Sequence, residues 1–153
     1  MGKRRTNHMN SITALGGTVV QRDIAEKVVA FCINQLLPKY RTLDITVSFK
    51  KLQESHGAYG FCNIADYYSK NREFILDIDK DIRLYDLVST ICHEMVHVKQ
   101  YVKGELSDLF SESGTKWKKK KFSLDYNYDD SPWEKEAFRL EEKLAIDCFK
   151  FVL

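Results

Sequence analysis

The chain has 153 residues, a formal charge of +2, 44% hydrophobic and 30% charged residues, which suits one globular domain able to bury its own core. No stretch approaches the roughly 18 consecutive apolar residues of a membrane span, and the charge is too near balance to imply a nucleic-acid partner unless basic residues cluster. The cysteines, Cys32, Cys62, Cys92 and Cys148, lack both the pairing of zinc ribbons and the density of secreted scaffolds, so they read as reduced, buried thiols.

Residues 1–15 read as a flexible basic tail. Lys3-Arg4-Arg5 precedes a polar run, and Gly16-Gly17 interrupts the stretch from Ser11 to Val20, which makes a poor signal-peptide core. A cytoplasmic protein with a single domain over 16–153 is expected. Met1 to Thr6 matches a loose myristoylation pattern, which stays outside the main reading.

Thr18 and Gln21 have capping-box spacing, and Val20, Ile24, Val28, Phe31, Cys32 and Leu36 follow a helical period that Pro38 stops. Leu43, Ile45, Val47 and Phe49 then alternate with polar residues as a half-buried strand does. A second strand is expected from the Gly57/Gly60 segment through Phe61 to Tyr68. A turn at Ser69-Lys70-Asn71 leads to a third strand around Phe74, Leu76 and Ile78.

Asp81 is placed to cap a helix reaching about Val102, with Leu84, Leu87, Val88, Ile91, Met95, Val98 and Val102 as its buried stripe and Gly104 as its stop. Residues 105–130 are polar, with Lys116 to Phe122 as a short strand or hairpin. Ser131-Pro132 opens a last helix packed through Trp133, Ala137, Leu140, Leu144 and Cys148. The expected class is α+β: an N-terminal packing helix, a three- to four-stranded sheet, a central helix and a C-terminal helix.

The central helix carries His93-Glu94-Met95-Val96-His97. Residues four apart lie one turn above each other on one face, so His93 and His97 can aim two imidazoles at one zinc ion. Glu94 then stands where a carboxylate can serve as general base. The bland alternative is a helix with two surface histidines, which the apolar flanks Cys92, Met95 and Val96 oppose.

A catalytic zinc site needs a third protein ligand. His8, in the tail, and His56, in a loop, read as solvent-exposed. At about 100° per residue from Trp133, Glu134 falls near 100° and Glu141 near 80°, inside the packing sector, whereas Glu136 falls outside it at roughly 300°. Glu134 has two roles open to it: third ligand, or partner of Ser131 in an S-x-x-E capping box. Glu141 reads either as a carboxylate steadying a histidine or as a salt-bridge partner.

His93 to His97 followed by Gln100-Tyr101, Gly114 to Lys118 as Gly-x-x-Trp-Lys, and Ser131 to Ala137 as Ser-Pro-Trp-Glu-Lys-Glu-Ala together resemble the small gluzincin-type HExxH metallopeptidases, including compact bacterial and phage-encoded forms. A weaker likeness joins them to SprT-like proteins, which often use a third histidine that this chain lacks after His97. The likeness covers about Phe74 to Leu144. It implies Glu134 as third ligand and Arg72 to Asp79 as an edge strand along which a peptide could bind. Phe138 departs from the pattern, since many gluzincins carry an aspartate there, and it leaves a histidine partner missing.

The expected activity is peptide hydrolysis with zinc and Glu94 as base; Tyr126 and Tyr128 are candidate oxyanion stabilisers. Two rivals stand beside it. Lys116 to Lys121 with Trp117 interleaved could contact nucleic acid, as in a DNA-associated SprT-like protease, or form a solvated lysine edge. A zinc-bound protein that holds a partner without cleaving it is the other.

Overall fold

Alternating apolar residues bring the strands together. The computed structural model describes residues 3–6, 10–52, 59–65, 71–109 and 114–153. Its main sheet contains β1 (Lys3–Thr6), β2 (Asn10–Leu15), β3 (Asp44–Lys50), β4 (Gly60–Ile64) and β5 (Glu73–Asp79) in the spatial order β1-β2-β3-β5-β4. β2, β3 and β5 run parallel, and β1 and β4 pair antiparallel at the two edges. The register sets Ile12 beside Ile45 and Phe74, and Ala14 beside Val47 and Leu76. All six are buried, so one face of the sheet is continuously apolar.

Asn10 to Leu15 therefore do not belong to a flexible tail. Ile12 and Ala14 alternate with Ser11 and Thr13, and pairing with β3 satisfies their backbone. The buried Asn10 amide donates to the Tyr40 carbonyl and its oxygen accepts from the Leu43 amide, both at 2.8 Å. Gly16 and Gly17 make the turn after β2, at φ of 75° and 64°. A Cβ on Gly16 would come within 2.8 Å of the Phe49 carbonyl oxygen, so glycine answers both backbone conformation and space.

Helix α1 (Val19–Leu36) begins in the expected capping box between Thr18 and Gln21 and buries Ile24, Val28 and Cys32, whereas Val20 is exposed. Helix α2 (Leu84–Val102) is capped by Arg83 through its backbone alone, not by Asp81. A bond from the Ile82 amide to the Asp79 carbonyl closes a turn there, leaving Asp81 two residues short of the cap and Leu84 exposed. The rest of the expected stripe is buried. At the other end Gly104, at φ 72°, bonds to the Tyr101 carbonyl and Glu105 to that of Gln100, a Schellman closure that turns the chain sharply off the helix.

That reversal leads into a second sheet of β6 (Leu106–Leu109), β7 (Gly114–Trp117) and β8 (Lys120–Ser123). Lys118 and Lys119, both at positive φ, form the two-residue hairpin turn between β7 and β8. A 3-10 turn (Tyr128–Asp130) precedes helix α3 (Pro132–Phe151). The result is an α+β fold with five strands in the main sheet rather than three or four. Helix α2 packs against α1, α3, β4 and β5. Among the described residues no helix is long and apolar enough to cross a membrane.

The second expected strand ends at Ile64; its continuation to Tyr68 and the turn at Ser69-Lys70 lie outside the described residues, as do His8 and His56.

Candidate metal centre

Because α2 is packed on several sides, its histidines are buried at 7% exposure each, and buried imidazoles need partners. They converge on one carboxylate. His93 Nε2 lies 2.9 Å from Glu134 Oε1, and His97 Nε2 lies 3.2 Å from each Glu134 oxygen. Glu134 is itself 6% exposed, in the first turn of α3. The capping box that competed for it does not form: the Ser131 hydroxyl instead donates to the Tyr128 carbonyl at 2.7 Å, and Ser131 caps α3 without a side-chain bond.

The outer ring nitrogens are held as well. His93 Nδ1 donates to Glu141 Oε1 at 2.9 Å, and His97 Nδ1 to Gln100 Oε1 at 2.8 Å. Glu141 thus supplies the histidine partner expected to be missing because position 138 is Phe; the Phe138 ring tilts against His93 at 4.7 Å. Gln100 is fully buried and donates to the Trp133 carbonyl and to Glu136, which also pairs with Lys99. Glu136 therefore acts outside the centre, as its helical angle implies. Bonds at both Nδ1 atoms leave the two Nε2 atoms facing Glu134, where a metal ion would take the place of the protons they share with it.

This donor set fits zinc. One atom each from His93, His97 and Glu134 can be chosen so that all lie within 4.8 Å of one another, and two imidazoles with one carboxylate form a set known for catalytic zinc. Without an ion the three groups compensate one another's charge. Burial alone would lower the His93 imidazole, but bonds to Glu134 and Glu141 and the charge of Glu94 override it and hold it up at about 10. Burial would raise Glu134, yet its bonds from His93, His97 and Tyr128 bring it down to about 2. For Glu94 burial prevails over the charges of both histidines and pushes its carboxyl above the usual range.

The centre opens into a cleft of about 540 Å³. Gly60, Phe61 and Cys62 of β4, Leu106 and Asp108 of β6, Thr115 of β7, and Tyr101, Tyr128 and Trp133 line it around His93, His97, Glu134 and Glu94. Burial and the charge of Glu94 push the Cys62 thiol well above its ordinary value. The Tyr128 hydroxyl donates to Glu134 at 2.9 Å. Tyr126 is not among the lining residues; it follows β8 and packs edge-on against Phe122.

The strand beside the cleft also differs from expectation. Glu73 to Asp79 lies between β3 and β4, so the edge is β4. Sequence alternation identifies a strand without identifying its neighbours, and the later strand β5 occupies the interior place. Bonds from Asp79 to the Tyr59 carbonyl and from Ala65 to that of Glu73 fix the alternation, so Gly60, Cys62 and Ile64 turn their backbone groups to the outer edge. Among the described residues no strand pairs there.

The lysine-rich segment forms the β7–β8 hairpin. Trp117 is buried against Trp133, and Lys118 lies over its ring at 5.0 Å, so this indole is not open for base stacking. In the sequence Gln100 reads only as part of the family motif and Cys62 only as a buried thiol, whereas Cys62 is half-buried at the cleft. Neither they nor Asp108 are assigned to the site by sequence, and only Gln100 carries a local signal, since it lies three residues after His97 on the same helical face. No family model and no curated protein matches the chain.

Proposed function

We propose that this protein is a zinc-dependent metallopeptidase of the gluzincin type, with His93, His97 and Glu134 as metal ligands and Glu94 as general base. The observation that carries the reading is the convergence of two buried imidazoles and a buried carboxylate from a separate helix, beside Glu94, in one open cleft. Zinc held by these groups supplies Lewis acidity, which acidifies water and polarises a carbonyl.

The chain's own residues account for the rest. Glu94 accepts a proton from the attacking water and delivers it to the leaving amine. Its raised carboxyl suits both halves of that task better than an ordinary, more acidic one. Glu141 and Gln100 fix the tautomers and ring planes of the ligands. Tyr128, whose hydroxyl already lies at the ligand carboxylate, is placed to donate to a developing oxyanion. The outer edge of β4 offers backbone donors and acceptors to an extended peptide, which would add there as a further strand. The reading favours a cytoplasmic protein, where thiols such as Cys32, Cys92 and Cys148 stay reduced.

Replacing Glu94 separates an enzyme from a zinc-bound protein that only holds a partner. Glu94→Gln is expected to keep its zinc and lose at least about a hundredfold in peptide hydrolysis. Undiminished hydrolysis would remove Glu94 from the mechanism.

A further inference from the structure

Among the described residues three acids line the cleft, and Asp108 is the one the proposed metal centre does not use. It follows Leu106 by two residues on β6 and pairs across the ladder with Thr115. Strand alternation therefore sets Leu106 and Asp108 on the same face. Leu106 is buried, and its ladder partner Trp117 packs on Trp133. The same face carries Thr115, Trp117, Lys120 and Phe122, and the Asp108 side chain stays exposed at the cleft, where an arriving cation would offset the hydration it loses to its apolar neighbours. Partial burial pushes the Asp108 carboxyl up.

Among the described residues the neighbouring cations are directed elsewhere. Lys116 is exposed and alternates to the opposite face from Thr115 and Trp117. Lys118 lies over Trp117 and Lys120 over Phe122, and Lys99 is paired with Glu105 and Glu136.

We propose that Asp108 determines specificity, selecting peptide substrates whose lysine or arginine side chain enters the cleft and meets its carboxylate. The inference rests on the metallopeptidase reading and adds its substrate class. Leu106, Thr115 and Trp133 line the path of the aliphatic stem, which lysine and arginine bury while their charged ends reach a polar partner. A neutral donor would compensate less, because hydrogen bonds between charged groups are roughly twice as strong. A peptide paired along β4 projects alternate side chains to each face, so one can turn toward β6 and β7.

The test digests a proteome-derived peptide mixture, prepared by cleavage at aromatic residues so that lysine, arginine, aspartate and glutamate all survive, with the zinc-loaded full chain. Products are identified by mass spectrometry. Enrichment of lysine and arginine on the order of tenfold is expected at one position near the cleaved bond. Asp108→Asn should erase it and Asp108→Lys should turn it toward aspartate and glutamate, with zinc content unchanged in both.

Binding gives a second readout. In the Glu94→Gln protein a fluorescent peptide carrying arginine at that position should bind about tenfold tighter than its citrulline counterpart, and adding Asp108→Asn should remove the difference. Cleavage without basic preference, or a preference that survives Asp108→Asn, overturns the inference and leaves the metallopeptidase reading standing. A zinc-loaded chain that cleaves no peptide overturns both.

Discussion

Glu134 and Glu136 stand two residues apart on one helix and meet different partners. The first meets both histidines, whereas the second meets Lys99 and Gln100. Gln100 links these two groups, since it bonds to His97 as well as to Glu136. Gln100→Leu is therefore expected to lower zinc affinity by roughly 10- to 100-fold, the usual cost of losing an outer hydrogen-bond partner, as measured by competition with a chromogenic chelator. Glu136→Ala should fall at or below that range. The proposed ligands and base are legible in the sequence because helical periodicity fixes where positions 93, 94, 97 and 134 point. Glu141 is legible as an inward carboxylate, but its partner is not, since a helical wheel gives a direction and no distance.

At the scale of elements, local chemistry is legible and strand pairing is not. The capping box at Thr18 is present in full, with both of its bonds. Thr18→Ala should cost about 1 kcal/mol of stability in urea unfolding. β2 reads as part of a tail because its alternation is short and a glycine pair follows it, and only the neighbouring strand β3 reveals what those glycines join. β5 reads as the edge because the sequence does not say that β4, earlier in the chain, lies outside it.

With β4 at the edge, the Cys62 amide faces outward, so Cys62→Pro removes a donor to a peptide without cutting the ladder to β5, a place where edge strands tolerate proline. It should raise KM about tenfold relative to Cys62→Ala, with zinc content retained; equal KM values would argue against strand addition at β4.

Across the whole molecule, the candidate metal centre depends on holding α3 against α2, because Glu134 reaches histidines some forty positions earlier in the chain. The two helices share a core with the sheet, in which Leu76, Ile91, Ala137 and Cys148 are all buried. Leu76→Ala should destabilise the fold by about 2–5 kcal/mol in chemical denaturation. Zinc added to that variant should recover part of the loss, since an ion that binds only the folded chain stabilises it by mass action. The sequence indicates the α+β class through its two periodicities and the β7–β8 hairpin through Lys116 to Phe122; β6, which completes the separate sheet, is hidden in a polar stretch whose strands are only four residues each.

A zinc centre closed by Glu134 is tested most directly by the zinc stoichiometry of the purified chain. One zinc per chain is expected in the wild type, lost by Glu134→Ala and retained by Glu136→Ala at matched folding. Wild-type protein that binds no zinc, or Glu134→Ala protein that holds it as tightly as the wild type, would contradict that centre.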